Sequence, residues 1–185
     1  GKRLISRFDL DKDSDPQHYG IGLKELWEVA PEKHEQGVVM HGLGWPLTET
    51  GSTGGWWLYF DENNQVSFGL VADLSYHNPY MSPFDEMQRL KTHPVIKNVL
   101  EGGKRISYGA RALTKGGLNS LPKFTFPGGV LVGDDAGFLN PAKIKGTHTS
   151  MKSGMLAAEA IFEAVQADRQ HDEVVAYTTM YKESW

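Results

Sequence analysis

Residues 126–165, FPGGVLVGDDAGFLNPAKIKGTHTSMKSGMLAAEAIFEAV, decide how this chain is read. Val130, Leu131 and Val132 predict a buried strand, Gly133-Asp134-Asp135 ends it, and a long helical pattern begins near Thr147. Strand, acidic turn, loop and helix start together make a place to hold a ligand. Gly133, Gly137 and Gly146 let backbone come close to a bound group, Asp134 can accept from a sugar-like hydroxyl, and the helix start offers free N–H groups. The combination suggests a flavin, and the alternative is a strand-to-helix connection with no ligand. Along the helix Met151, Met155, Ala158, Phe162 and Val165 step by four, three, four and three. We expect this stripe to be core, with Gly154, Ala157 and Ala160 keeping the helix slim.

Upstream, the pattern is mostly that of strands. Parts of YGIGLKELW (19–27) and VVMHGLGW (38–45) read as strands separated by the polar turn 31–37. Gly54-Gly55 opens WWLYF (56–60), DENNQ (61–65) turns, and VSFGLVADL (66–74) returns, which predicts an antiparallel sheet. Ser82 and Asp85 have capping-box spacing with Pro83 in the first turn, so a helix follows with Phe84, Met87 and Leu90 on one face. Pro94 restarts it, and Val95, Ile96, Val99 and Leu100 carry the next apolar face to Gly102-Gly103. RISYGARAL (105–113) is a strand returning towards the sheet. Residues 1–18 are polar and irregular, and the end of the chain is a helix with Tyr177, Tyr181 and Trp185 aligned. The expected class is α+β, a mostly antiparallel sheet packed with helices.

At 185 residues, with 39% hydrophobic and 23% charged, the chain has the composition of an ordinary globular protein. A net charge of -4 and scattered basic residues argue against nucleic acid as a partner. With no cysteine, the chain itself cannot supply disulfides, thiol nucleophiles or iron–sulfur ligands. The first residues lack the apolar segment of a signal peptide, and no run reaches the roughly 18–20 apolar residues of a spanning helix. A membrane-surface role remains open.

Seven histidines show no metal-ligand spacing and read as surface or hydrogen-bonded residues. No Gly-x-Ser-x-Gly elbow or Walker loop occurs, which argues against a hydrolase or an NTPase. Gly54 and Gly55 expose backbone beside aromatic residues, so a flat, carbonyl-bearing ligand can approach there; a β-bulge or hairpin corner is the other reading. Tyr177, Tyr181 and Trp185 fit a belt at a bilayer surface and equally a helix face packed on protein.

The chain resembles the electron transfer flavoprotein-ubiquinone oxidoreductases. The resemblance is carried by PQHYGIGLKELWEV (16–29), GWPL (44–47), GG followed by LYF (54–60), NPYMSPFDEMQRLKTHP (78–94), LEGGKRISYGARAL (100–113), PKFTFPGG (122–129) and GFLNPAKIKGTHTSMKSGMLAAEAIF (137–162). It implies a flavoenzyme passing electrons from reduced electron transfer flavoprotein to ubiquinone with FAD and a 4Fe-4S cluster. The enzyme would be peripheral, or monotopic, on a bacterial cytoplasmic or mitochondrial inner membrane. It implies a middle portion: a quinone-binding α+β domain over 1–128, a returning segment of an incomplete FAD-binding domain, Rossmann-like as in two-domain flavoproteins, over 129–170, and a C-terminal helix over 171–185. The FAD pyrophosphate turn would lie before Gly1 and the four cluster cysteines after Trp185. By position, Gly54 and Gly55 match the pair whose backbone contacts the quinone. Gly133, Asp134, Gly137, Lys145, Gly146, Thr147 and His148 fall in the flavin-contacting stretch, Asp134 on the ribityl or phosphate side and Gly146-Thr147-His148 at the ring. No residue acts as an acid–base catalyst in this reading. The alternatives are a flavin-dependent hydroxylase or reductase and a non-enzymatic quinone or membrane-surface module.

Overall fold

A computed structural model describes residues 1–184, in two compact units: Tyr19–Leu113, and Gly1–His18 together with residues 114–184. These units are drawn differently from the segments 1–128, 129–170 and 171–185. The polar N-terminus and residues 114–128 belong with the 129–170 segment. Leu10 is buried with Phe124 and Phe126, Ser14 Oγ donates to the Leu121 carbonyl at 2.6 Å, and Gln17 Oε1 accepts from the Gly116 N–H at 2.7 Å.

In the Tyr19–Leu113 unit five strands form one sheet: β1 (Tyr19–Glu28), β2 (Val39–Leu43), β3 (Gly54–Phe60), β4 (Gln65–Asp73) and β5 (Lys104–Thr114), in the order β2-β3-β4-β1-β5. β2/β3, β3/β4 and β1/β4 are antiparallel. The hairpin between β3 and β4 closes through Asp61 N–H to Gln65 O at 2.8 Å, with Asn63 and Asn64 both at φ 56°. Asparagine tolerates that left-handed conformation, and consecutive positive φ values match the twist of the flanking strands.

Alternation sorts the two faces of the sheet. Val66, Phe68, Leu70 and Ala72 of β4 are fully buried, and Leu58 and Phe60 of β3 share their face. Helices α2 (Pro83–Leu90) and α3 (Pro94–Leu100) close that core with Met87, Leu90, Ile96, Val99 and Leu100. Burying side chains of this size contributes about 1.5–3 kcal/mol each. Ser82 caps α2, its side chain accepting from the Asp85 N–H at 3.3 Å. Phe84 and Val95, expected on the buried faces, are exposed; each stands in the first turn of its helix.

The other unit is largely helical. α1 (Lys2–Arg7) forms within the segment expected to be irregular. β6 (Thr125–Phe126) and β7 (Gly129–Val130) make a short hairpin, followed by α4 (Gly133–Ala136), α5 (Thr147–Gln166) and α6 (Val175–Glu183). The strand expected over Val130, Leu131 and Val132 is therefore cut to its first residue, and the acidic turn is one helical turn. α5 also departs from expectation. It buries Ser153, Leu156, Ala157, Ala160 and Ala164, while Met151, Met155, Phe162 and Val165 are exposed. α6 packs inward through Tyr177, which is fully buried, and Tyr181, whose ring stacks on Phe138 at 4.3 Å. That face is a packed one. Trp185 lies outside the described residues.

Candidate functional site

The flavin-contacting residues expected from sequence gather around α4 and the start of α5. Gly133 (φ 58°) and Gly137 (φ 90°) bracket α4 in the left-handed region, where a side chain would strain the backbone. The Gly133 N–H donates to Ser153 Oγ at 2.9 Å, and Ser153 Oγ donates to the Ser150 carbonyl at 2.7 Å. This buried serine ties α4 to the second turn of α5. Asp134 is exposed, with the Thr114 hydroxyl 3.2 Å from its carbonyl and 3.4 Å from Oδ1.

Between α4 and α5 the loop is closed by a two-way backbone pairing, Asn140 N–H to Lys145 O at 2.9 Å and Lys145 N–H to Asn140 O at 3.2 Å. That pairing delivers Lys145, Gly146, Thr147 and His148 to the start of α5, where no side chain caps the helix. Lys145, Thr147 and His148 are exposed. A 20-residue helix with an uncapped N-terminus presents partial positive charge and N–H donors, which suit an electron-rich ring edge. The glycines and free N–H donors are of the kind a flavin needs. Ser153 and Thr114 escaped the sequence reading, since each acts through a contact 20 residues away in the chain.

In the sheet, Gly54 and Gly55 open β3 and lie inside the ladder: Gly54 faces Ala72, and Gly55 stands between Leu43 of β2 and Val71 of β4. A Cβ on Gly54 would collide with the Val71 carbonyl oxygen, and one on Gly55 would lie 2.7 Å from the Gly42 carbonyl oxygen. Close strand approach therefore requires glycine at both positions, ligand or not. Both helices of this unit cover the opposite face. On the open face Trp57 folds its indole over Gly69, with Nε1 3.5 Å from Ser67 Oγ, and His41 Nε2 lies 2.6 Å from the Tyr59 hydroxyl. Nothing in the sequence alone marked His41 or Tyr59, because their meeting depends on the register between β2 and β3.

Among the described residues no group of histidine and acidic side chains could hold a metal ion, and no helix is long and apolar enough to cross a membrane.

Comparison with known proteins places this geometry. The family model described as "ETF-QO, ubiquinone-binding" matches residues 19–113, the extent of the sheet-containing unit. A probable electron transfer flavoprotein-ubiquinone oxidoreductase of Acinetobacter baylyi is 64% identical over all of this chain and 35% of its own length. The mitochondrial electron transfer flavoprotein-ubiquinone oxidoreductase of Homo sapiens is 50% identical over all of the chain and 31% of its length. Among solved structures, a geranylgeranyl bacteriochlorophyll reductase-like protein of Thermoplasma acidophilum superposes with a TM-score of 0.65 at 19% identity, covering 90% of this chain and 38% of that one. The flavin-dependent brominase Bmp2 gives 0.64 at 18%, covering 98% and 44%. Those likenesses show the fold alone. The chain spans about a third of the length of the curated relatives it matches, and it belongs to the electron transfer flavoprotein-ubiquinone oxidoreductase family.

Proposed function

We propose that this chain is the quinone-side portion of an enzyme that takes electrons from reduced electron transfer flavoprotein and passes them to ubiquinone at a membrane surface. The observation that carries the reading is the coincidence between one folded unit, Tyr19–Leu113, and the span matched by the quinone-binding model. Gly54 and Gly55 would contact the quinone through backbone atoms. Gly133, Asp134 and Gly137 would line the ribityl side of FAD, and Lys145, Gly146, Thr147 and His148 its ring.

FAD, when bound, supplies the two-electron carrier. The residues of this chain orient it: the uncapped start of α5 favours the negative charge of the reduced ring, and the bond from Gly133 to Ser153 holds α4 against that start. The 4Fe-4S ligands would come from cysteines elsewhere in the full-length protein, since this chain has none.

The test is the full-length enzyme supplied with reduced electron transfer flavoprotein and a short-tailed ubiquinone. Quinol should form at the rate the donor is oxidised. NADPH-dependent oxygen insertion into an organic substrate without quinone reduction would instead make the protein a flavin-dependent hydroxylase.

A further inference from the structure

The open face of the sheet holds a row with few, apolar side chains. At the level of Gly55 the strands place Leu43, Gly55, Val71 and Gly22 side by side. Two of the four are glycine, and the Leu43 side chain leans over Gly55, its Cδ2 2.9 Å from where a Cβ there would sit, so the row is a shallow trough with Leu43 as its near rim. Its far end is lined by Leu113, 3.8 Å from where a Cβ on Gly22 would sit. The next row on the same face, about 7 Å along the strands, is His41, Trp57, Gly69 and Lys24. Because the Trp57 indole lies over Gly69, it leans away from β2 and leaves His41 uncovered. From the third row Tyr59 reaches back. Its hydroxyl is 2.6 Å from His41 Nε2, and the two rings meet edge-on at 5.3 Å. The sheet thus sets a flat, apolar strip beside a coupled proton donor and acceptor.

We propose that a quinone ring lies in this trough, with one oxygen at the Gly54–Gly55 backbone and the other at the His41–Tyr59 pair, and that the pair protonates that oxygen. The proposal rests on the quinone-reducing function set out above. Quinone takes two electrons, here from a reduced flavin, and two protons to give quinol. The Tyr59 O–H breaks as the quinol O–H forms. The tyrosine oxygen takes its proton back from His41 Nε2, and exposed His41 recovers one from water. The oxygen at the glycine pair takes its proton from water. A histidine beside a tyrosine suits this task, since its ring nitrogens can both donate and accept a proton.

The test compares full-length wild type with Tyr59→Phe and His41→Gln. Each protein, chemically reduced without oxygen, is mixed with a short-tailed ubiquinone or with ferricyanide, which accepts electrons without protons. Both variants should reduce the quinone about 10–100-fold more slowly, as expected for loss of a positioned acid, and ferricyanide at the wild-type rate. Binding of the quinone to oxidised Tyr59→Phe, followed by tryptophan fluorescence, should weaken about 3–10-fold for one lost hydrogen bond. Wild-type quinone rates in both variants would overturn the proposal, as would equal losses with the two acceptors, which mark a structural role. A wild-type protein that reduces ferricyanide but no quinone would overturn the functional reading itself, and that failure is distinct from the first two.

Discussion

Glu25 is a carboxylate placed on the core face of the sheet, opposite Phe68 and almost fully buried. It accepts from Trp27 Nε1 at 2.8 Å, Lys91 Nζ at 2.8 Å and Arg105 Nη1 at 3.0 Å. Burial alone would raise its pKa, but the bonds from Lys91, Trp27 and Arg105 outweigh it and hold the group below the ordinary glutamate value. A depressed folded pKa adds stability above the unfolded value of 4.5, and that stability is lost as pH falls through the folded one. Glu25→Gln should cost about 2 kcal/mol at pH 7, below the usual figure for a broken buried pair because both cations keep some solvent. It should also flatten the fall in urea midpoint between about pH 5 and pH 3. Tyr177 shows the opposite sign. Its hydroxyl donates to the Leu131 carbonyl at 3.1 Å, and burial pushes its pKa up to about 12. Stability tied to the neutral phenol is whole below about pH 10 and fades as pH rises towards 12. Tyr177→Phe should lower stability by about 1–2 kcal/mol at pH 8, for the orphaned carbonyl, and give a weaker alkaline decline in denaturation midpoints from pH 9 to pH 11.

At the scale of elements, strands were more legible than helix faces. Alternation and the DENNQ turn settled β3 and β4, because in a half-buried strand the period of two itself says which side faces the core. It did not pair His41 with Tyr59, since the register of β2 follows from the turn at residues 44–53 and not from its own side chains. Gly54 and Gly55 were visible as unusual, yet their steric need for close strand approach appears only once Val71 and Gly42 are in place. A valine at Gly55 would therefore disturb the ladder before it reported on a quinone. α5 carries the sharpest lesson. Its apolar period was correct, but its small-residue face is the buried one, because only a slim face lets α4 approach within the reach of Ser153. A helix apolar on two faces is built for cover on both sides. In the isolated chain the exposed Met151, Met155, Phe162 and Val165 stripe should drive self-association. Met155→Gln with Phe162→Gln should shift sedimentation at high concentration towards monomer while helical circular dichroism stays unchanged. Unaltered association would show that the stripe is not what brings copies together.

For the whole molecule the decisive contrast is between a complete sheet unit and, in the proposed reading, only part of a flavin site. The Tyr19–Leu113 unit has its own core, closed by α2 and α3. The flavin-side residues instead sit on one helical turn, one loop and one helix start, all exposed or half-exposed except Gly137. A dinucleotide also needs a cradle for its pyrophosphate, and the Gly-x-Gly-x-x-Gly turn that makes one occurs nowhere in this sequence. Without those phosphate contacts the ring and ribityl contacts have little to hold them, because ordering a flexible ligand costs several kcal/mol that a few exposed donors cannot offset. The isolated chain should therefore fold but emerge from gel filtration without the 450 nm absorbance of a flavin. The full-length protein should retain about one FAD per chain. A stoichiometric flavin spectrum on the isolated chain would mean that the start of α5 and the glycines around α4 hold the cofactor without a phosphate cradle.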